Sequence, residues 1–149
     1  MRPEGMHLTL KFLGDIISTQ VEDISTILNP IAEKQSCFAL ATGRTGVFPS
    51  PKKARVLWAG IDDPRNSCGN LAAGIDTALG ALGFEREKRP FSPHLTLARL
   101  REPAPAPQAF LDAEIECIRF EVCRFILFRS VLNPSGAIYT PLKEFRLKK

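Results

Sequence analysis

A chain of 149 residues, 44% hydrophobic and 24% charged, is long enough for one domain with a sizeable core. No apolar run approaches the length of a bilayer span. The opening "MRPEGM" lacks the basic-then-apolar order of a secretory signal, so a cytoplasmic location is expected. The net charge of +4 suits a phosphate-bearing partner without requiring one.

In chain order, Met6 to Leu13 alternates and is rich in strand formers, which predicts a strand ending at Gly14. Ser18 is placed to cap a helix carrying Val21, Ile24, Leu28 and Ile31 at helical spacing, with Pro30 expected to kink or stop it. Cys37 to Ala41 reads as a strand, and "TGRTGVFPSPKKA" as a loop punctuated by Gly and Pro. Arg55 to Ile61 is a short β-branched and aromatic strand, followed by the turn "DDPRNS". Asn66 or Ser67 then caps a helix through Leu82, with Leu71, Ile75, Leu79 and Leu82 on one face and Gly83 placed to end it. The charged loop "REKRPFSP" leads into a strand beginning at His94, which "REPAPAP" interrupts. A short helix around Ala109 to Ala113, a strand-rich stretch from Cys117 to Leu132, an "NPSG" turn and a last strand or two from Ala137 to Leu147 complete the order. Few helices among many strands, with hairpin character late in the chain, predict an α+β fold with largely antiparallel sheet.

Cofactor and metal motifs are missing. Neither GxxxxGK[ST] nor GxGxxG occurs, so no nucleotide cofactor is expected. Cys37, Cys68, Cys117 and Cys123 form no CxxC pair, and scattered thiols with two histidines 87 apart do not make a zinc site. Buried, reduced thiols are the expectation for these cysteines. Basic residues such as Arg44, Lys52, Lys53, Arg55, Arg99 and Arg101 fall near expected strand ends and loops.

The chemistry is concentrated in a repeat. The chain has two histidines, and each opens the tetrapeptide His-Leu-Thr-Leu, at 7–10 and at 94–97. Chance recurrence of the last three residues is roughly a one-in-a-thousand event at ordinary residue frequencies. In a strand, residues two apart share a face, so His7 and Thr9 point one way while Leu8 and Leu10 point the other. The same holds for His94 and Thr96 against Leu95 and Leu97. Two such strands side by side present two imidazoles and two hydroxyls to one cleft. One imidazole can accept a proton while the other donates one, and hydroxyls can bond non-bridging phosphate oxygens. Phosphodiester hydrolysis or transesterification without metal is the natural reaction for this set.

The sequence resembles the two-histidine (2H) phosphoesterase superfamily, whose signature is two H-x-[ST]-x tetrapeptides in two pseudo-symmetric lobes. More narrowly it is similar to the RNA 2′,3′-cyclic phosphodiesterases, formerly called 2′-5′ RNA ligases, through "RPEGMHLTLKFLGDI", "GVFPSPKKARVLWAGI", "FSPHLTLARL" and "LNPSGAIYTPLKEFRL". The resemblance implies two lobes, each a largely antiparallel sheet with helices on its outer face and the active-site cleft between them, within one domain spanning 1–149. It implies His7 and His94 as catalytic residues, Thr9, Thr96 and Arg99 as phosphate-binding, and Phe12 as lining the nucleotide site. Family precedent makes His94 the base and His7 the acid. Phe48 and Arg55 are weaker candidates for the cleft wall, and a structural role is expected for each.

The implied reaction opens a 2′,3′-cyclic phosphate on RNA ends or nucleotides to a 2′-phosphomonoester, with no cofactor or metal; its reverse joins a 2′-5′ linkage. Two other readings fit the same residues: a non-catalytic module that holds RNA ends or nucleotides, and a different 2H phosphodiesterase such as an RNA 3′-end trimming enzyme. Family members normally carry a further strand and helix before the segment matching "RPEGMHLTL". A monomer is expected, with self-association if that element is truly missing.

Overall fold

The computed structural model describes residues 5–134 and 136–149. Helix α1 spans Gln20–Lys34 and strand β1 Phe38–Phe48; β2 (Ala54–Asp62), α2 (Ser67–Leu79) and β3 (His94–Ala104) follow. A short helix α3 (Gln108–Leu111) precedes β4 (Arg119–Val122), β5 (Arg124–Val131) and β6 (Ile138–Arg146). Antiparallel pairing gives one four-stranded sheet in the order β3-β2-β1-β4, and β5 and β6 form a two-stranded sheet. The fold is the α+β, two-lobed antiparallel arrangement expected.

Two clusters hold it together. Ile24, Leu28 and Ala32 of α1 and Leu71, Ile75 and Leu79 of α2 pack against Phe125, Leu127 and Phe145 of the hairpin. A smaller cluster, Leu40, Ile61 and Cys68, joins the four-stranded sheet to α2 and takes in Leu8, Leu10 and Leu95 from the two tetrapeptides. Leu10 touches both clusters, so the leucines of the repeat anchor it between the lobes.

Helix α1 starts one residue later than the Ser18 cap predicts. Thr19 holds the cap position without a side-chain bond, and the Ile17 N–H donates to Gln20 Oε1 at 3.0 Å. Pro30 does not end the helix. It lies near the last turn, where one missing N–H costs little against the burial of Leu28 and Ala32 on either side. Asn66, in the left-handed region, precedes α2 but makes no side-chain cap bond. Asp63 caps instead, its carboxylate accepting from the N–H groups of Ser67, Cys68 and Gly69 at 2.8, 2.8 and 3.2 Å. A negative charge there also complements the helix dipole. Gly83, at φ +84°, ends the 3₁₀ turn that follows, as its position predicts.

Three expectations are corrected. Met6 to Leu13 is not a strand of a sheet: Leu8 makes one isolated antiparallel bridge, with Leu95, and the segment then bends away. An ion pair takes over the anchoring that a ladder would supply. Lys11 Nζ donates to Asp76 Oδ1 on α2 at 2.5 Å and to the Glu85 carbonyl at 2.8 Å. The first half of "TGRTGVFPSPKKA" is strand, because β1 runs on to Phe48 through a register shift between Thr42 and Thr45. Gly46 in it is no turn residue; the Trp58 indole lies across it, where a Cβ would collide with the ring. Finally, Cys37 and Cys123 are joined in a disulfide, and Cys117 is exposed; only Cys68 is the buried thiol expected. Strand pairing of Phe38 with Val122 brings the two partners together.

Burial, and secondarily the Asp63 carboxylate, push the Cys68 thiol up to about 12. A thiol-reactive chromophore added to the native protein should therefore label Cys117 quickly and leave Cys68 untouched until denaturant is added. Asp76 is held well below the usual carboxylate range, first by the Lys11 hydrogen bond, then by Arg86 Nε at 2.6 Å, with the Glu87 N–H adding to both. This stabilisation is complete above the ordinary carboxylate range, near pH 4, and is lost as pH falls toward the depressed value. Asp76→Asn leaves the Lys11 ammonium, whose side chain is only 6% exposed, without its counter-charge. Urea unfolding at pH 7 should show a loss of about 3 kcal/mol, and the variant's stability should change less than wild type between about pH 5 and pH 2.

Candidate active site

The single bridge between Leu8 and Leu95 decides where both tetrapeptides point. In an antiparallel pair, residues directly opposite share a face. The bridge therefore sets His7 opposite Thr96 and Thr9 opposite His94, all four on the face away from Leu8 and Leu95. The two histidines stand on a diagonal of the pair, where neighbours lie about 7–8 Å apart and their Cβ atoms somewhat closer. The leucines go to the core cluster, and the His-Thr square faces the cleft.

Each imidazole is held in the same way. His7 Nδ1 bonds the Gly5 carbonyl at 2.9 Å, and His94 Nδ1 bonds the Ser92 carbonyl at 2.7 Å, each two residues back. A carbonyl only accepts, so Nδ1 carries the proton in both rings, and Nε2 of a neutral ring is the nitrogen with a free lone pair. Two aromatic rings then bracket each histidine. Tyr139 meets His7 edge-on at 4.4 Å and Phe128 lies at 6.1 Å. Phe48 meets His94 edge-on at 5.1 Å and Trp58 lies at 6.1 Å. One bracket comes from the β5–β6 hairpin, the other from β1 and β2 of the larger sheet.

Trp58 pairs with Thr96 across β2 and β3 and with Gly46 across β1 and β2, so it shares the cleft face. Its indole forms the floor beside His94. Arg99 reaches that face through an irregularity. Simple alternation from His94 and Thr96 would send Arg99 to the back of the sheet. However, Leu57 pairs with Ala98 and Trp58 with Thr96, leaving Leu97 as an extra residue. This bulge reverses the alternation and pairs Arg99 with Val56, on the Trp58 side. Arg99 is exposed and makes no ion pair among the described residues. The Thr9 and Thr96 hydroxyls likewise have no hydrogen-bond partner among the described residues. Phe12 projects into solvent, 78% exposed.

The structure thus brings His7, Thr9, His94, Thr96 and Arg99 to one face, and leaves Phe12 at the surface. Sequence reading did not single out Trp58, Phe128 or Tyr139. The three aromatics that bracket the histidines with Phe48 come from strands far apart in the chain, so no local spacing links them to the repeat. No group of three or more His, Cys, Asp or Glu side chains suited to a metal occurs among the described residues. No described helix is long and apolar enough to cross a membrane. One hollow lined by Glu121, Arg124, Glu144 and Arg146 and another lined by Arg44, Asp62 and Glu114 share no residue with the histidine cleft.

Paired H-x-T segments facing one cleft define a two-histidine phosphoesterase arrangement. Residues 2–133 match the 2′-5′ RNA ligase superfamily, to which the chain belongs. Within it, the chain is 32% identical to the RNA 2′,3′-cyclic phosphodiesterase of Methanothermobacter thermautotrophicus, covering 99% of this chain and 81% of the relative. It is also 32% identical to the Aquifex aeolicus enzyme of the same name, covering 99% and 80%. A crystal structure of a Thermus thermophilus protein superposes with a TM-score of 0.85 at 30% identity, over 99% of this chain and 81% of that one. Escherichia coli LigT complexed with 3′-AMP superposes at 0.76 with 26% identity, over 98% and 79%.

Gly46→Ala tests the cleft floor. The added methyl should displace the only tryptophan of the chain, shift its fluorescence to the red, and lower the melting temperature by several degrees, which fluorescence-detected thermal unfolding will read.

Proposed function

We propose that this protein hydrolyses the 2′,3′-cyclic phosphates of RNA ends or nucleotides to 2′-phosphomonoesters, with His7 and His94 as its acid and base. The observation that carries the reading is the Leu8–Leu95 bridge, which sets two H-x-T pairs on one face, together with the mirrored Nδ1–carbonyl bonds. The names and full-length similarity of the relatives support the substrate class.

A cyclic phosphate between the two imidazoles meets Nε2 on either side. One neutral Nε2 takes a proton from the attacking water; the other ring, protonated, gives its Nε2 proton to the departing 3′ oxygen. The Thr9 and Thr96 hydroxyls donate to the non-bridging oxygens, where charge gathers as phosphorus becomes five-coordinate. Arg99, without a counter-charge among the described residues, binds the phosphate from the same face. Imidazolium, guanidinium and two hydroxyls supply the positive field that a metal supplies in other phosphodiesterases. Both histidines come from one chain, so a monomer suffices.

Purified protein should open a 2′,3′-cyclic nucleotide in the presence of EDTA, with activity falling on both sides of a pH maximum. Phosphorus NMR should show a 2′-phosphate product. His7→Ala and His94→Ala should each lower kcat about 10²- to 10⁴-fold, and Thr9→Ala or Thr96→Ala about 10²-fold. Undiminished turnover in both histidine variants would overturn the mechanism.

A further inference from the structure

The two aromatic brackets are not equivalent. Phe128 and Tyr139 stand nearly perpendicular to one another, at 80° and 6.2 Å, and share no common surface. Phe48 and Trp58 are tilted by only 36° at 5.1 Å and form a shelf beside His94. The strand register makes this shelf costly to build. On β2, Phe48 pairs with Val56 while His94 pairs with Gly60, four residues along and on the opposite neighbouring strand. Contact between the Phe48 and His94 rings requires the sheet to curl and the phenylalanine to lean across it. Gly46 gives up its side chain so that the indole can lie flat beneath. The Trp58 N–H is buried with no hydrogen-bond partner among the described residues. A core would favour a satisfied indole and a filled strand position; a platform for a flat ligand explains both departures.

Resting on the cyclic phosphodiesterase reading, we infer that the Phe48–Trp58 shelf is the subsite for the nucleobase of the nucleotide that carries the cyclic phosphate. Phe48, half-buried and 5.1 Å from the His94 ring, lies within one nucleoside's reach of a phosphate held between the histidines. Unpaired bases are held in this way by stacking on aromatic faces, and such stacking is tolerant of base identity because every base has a π-face. Stacking on such a shelf recognises that a base is present more than which base it is.

Trp58 is the only tryptophan, so its fluorescence reports binding directly and without turnover. Titration with 2′-AMP and with ribose 2-phosphate compares ligands with and without a base. The wild-type protein should bind 2′-AMP about tenfold more tightly than ribose 2-phosphate. Phe48→Ala should bring the two dissociation constants together, and Phe48→Tyr should restore the difference. Loss of affinity for both ligands in equal proportion in Phe48→Ala would show a ring that merely props His94 and would overturn the subsite. So would a base preference that survives Phe48→Ala. A base-dependent affinity in a protein that opens no cyclic phosphate would support the subsite and count against the proposed hydrolysis alone.

Discussion

One pair of backbone hydrogen-bonding positions, Leu8 against Leu95, governs the geometry of the cleft. Because side chains alternate along a strand, a slip of one residue at this bridge would turn His7 and Thr9 toward the core and Leu8 toward solvent. The bridge has no ladder to protect its register. It is secured from the side by the leucines, which insert into the smaller cluster, and from beyond by the Lys11–Asp76 ion pair. Asp76 in turn holds Arg86 and the Glu87 N–H, so a buried carboxylate on α2 fixes both the first tetrapeptide's exit and the loop that leads toward the second. The pseudo-symmetry of the site is therefore produced by unlike means: β3 lies in a sheet, whereas the His7 segment is held by a bridge, apolar anchors and a salt bridge.

The local irregularities serve the cleft. The bulge at Leu97 turns Arg99 onto the His-Thr face, and Gly46 opens the space that Trp58 fills. Each departs from regular sheet, and each delivers a functional group or a surface that regular alternation would have directed elsewhere. The same applies to the mirrored Nδ1 bonds, which fix ring orientation through backbone carbonyls two residues upstream and leave both Nε2 atoms directed away from their own strands.

What could be read from the sequence follows the range of the physics involved. Helix α2, strand β2 and the second tetrapeptide's strand rest on short-range periodicity and came out where their patterns place them. The repeated His-Leu-Thr-Leu carried its own face assignment, because alternation needs only neighbours. By contrast, "TGRTGVF" looks like loop because glycine commonly marks a turn, and only the partner strand reveals that a ring lies over Gly46. The Asp63 cap was hidden by Asn66 and Ser67, both better placed by simple spacing. Arg99's orientation depends on a bulge that no local pattern announces. The Cys37–Cys123 pairing depends on strands 86 residues apart, and the aromatic brackets on side chains from four different strands.

That disulfide divides the chain into a covalent ring and two arms. The ring, residues 37–123, contains β1 to β4, α2, His94 and its bracket of Phe48 and Trp58. The arm before it carries His7, and the arm after it carries Phe128 and Tyr139, which enclose that histidine. One half of the cleft thus lies within the ring, while the other is assembled from residues more than 120 positions apart on its two sides. The two tetrapeptides look alike in sequence, yet only the later one has its aromatic neighbours inside the same covalent ring.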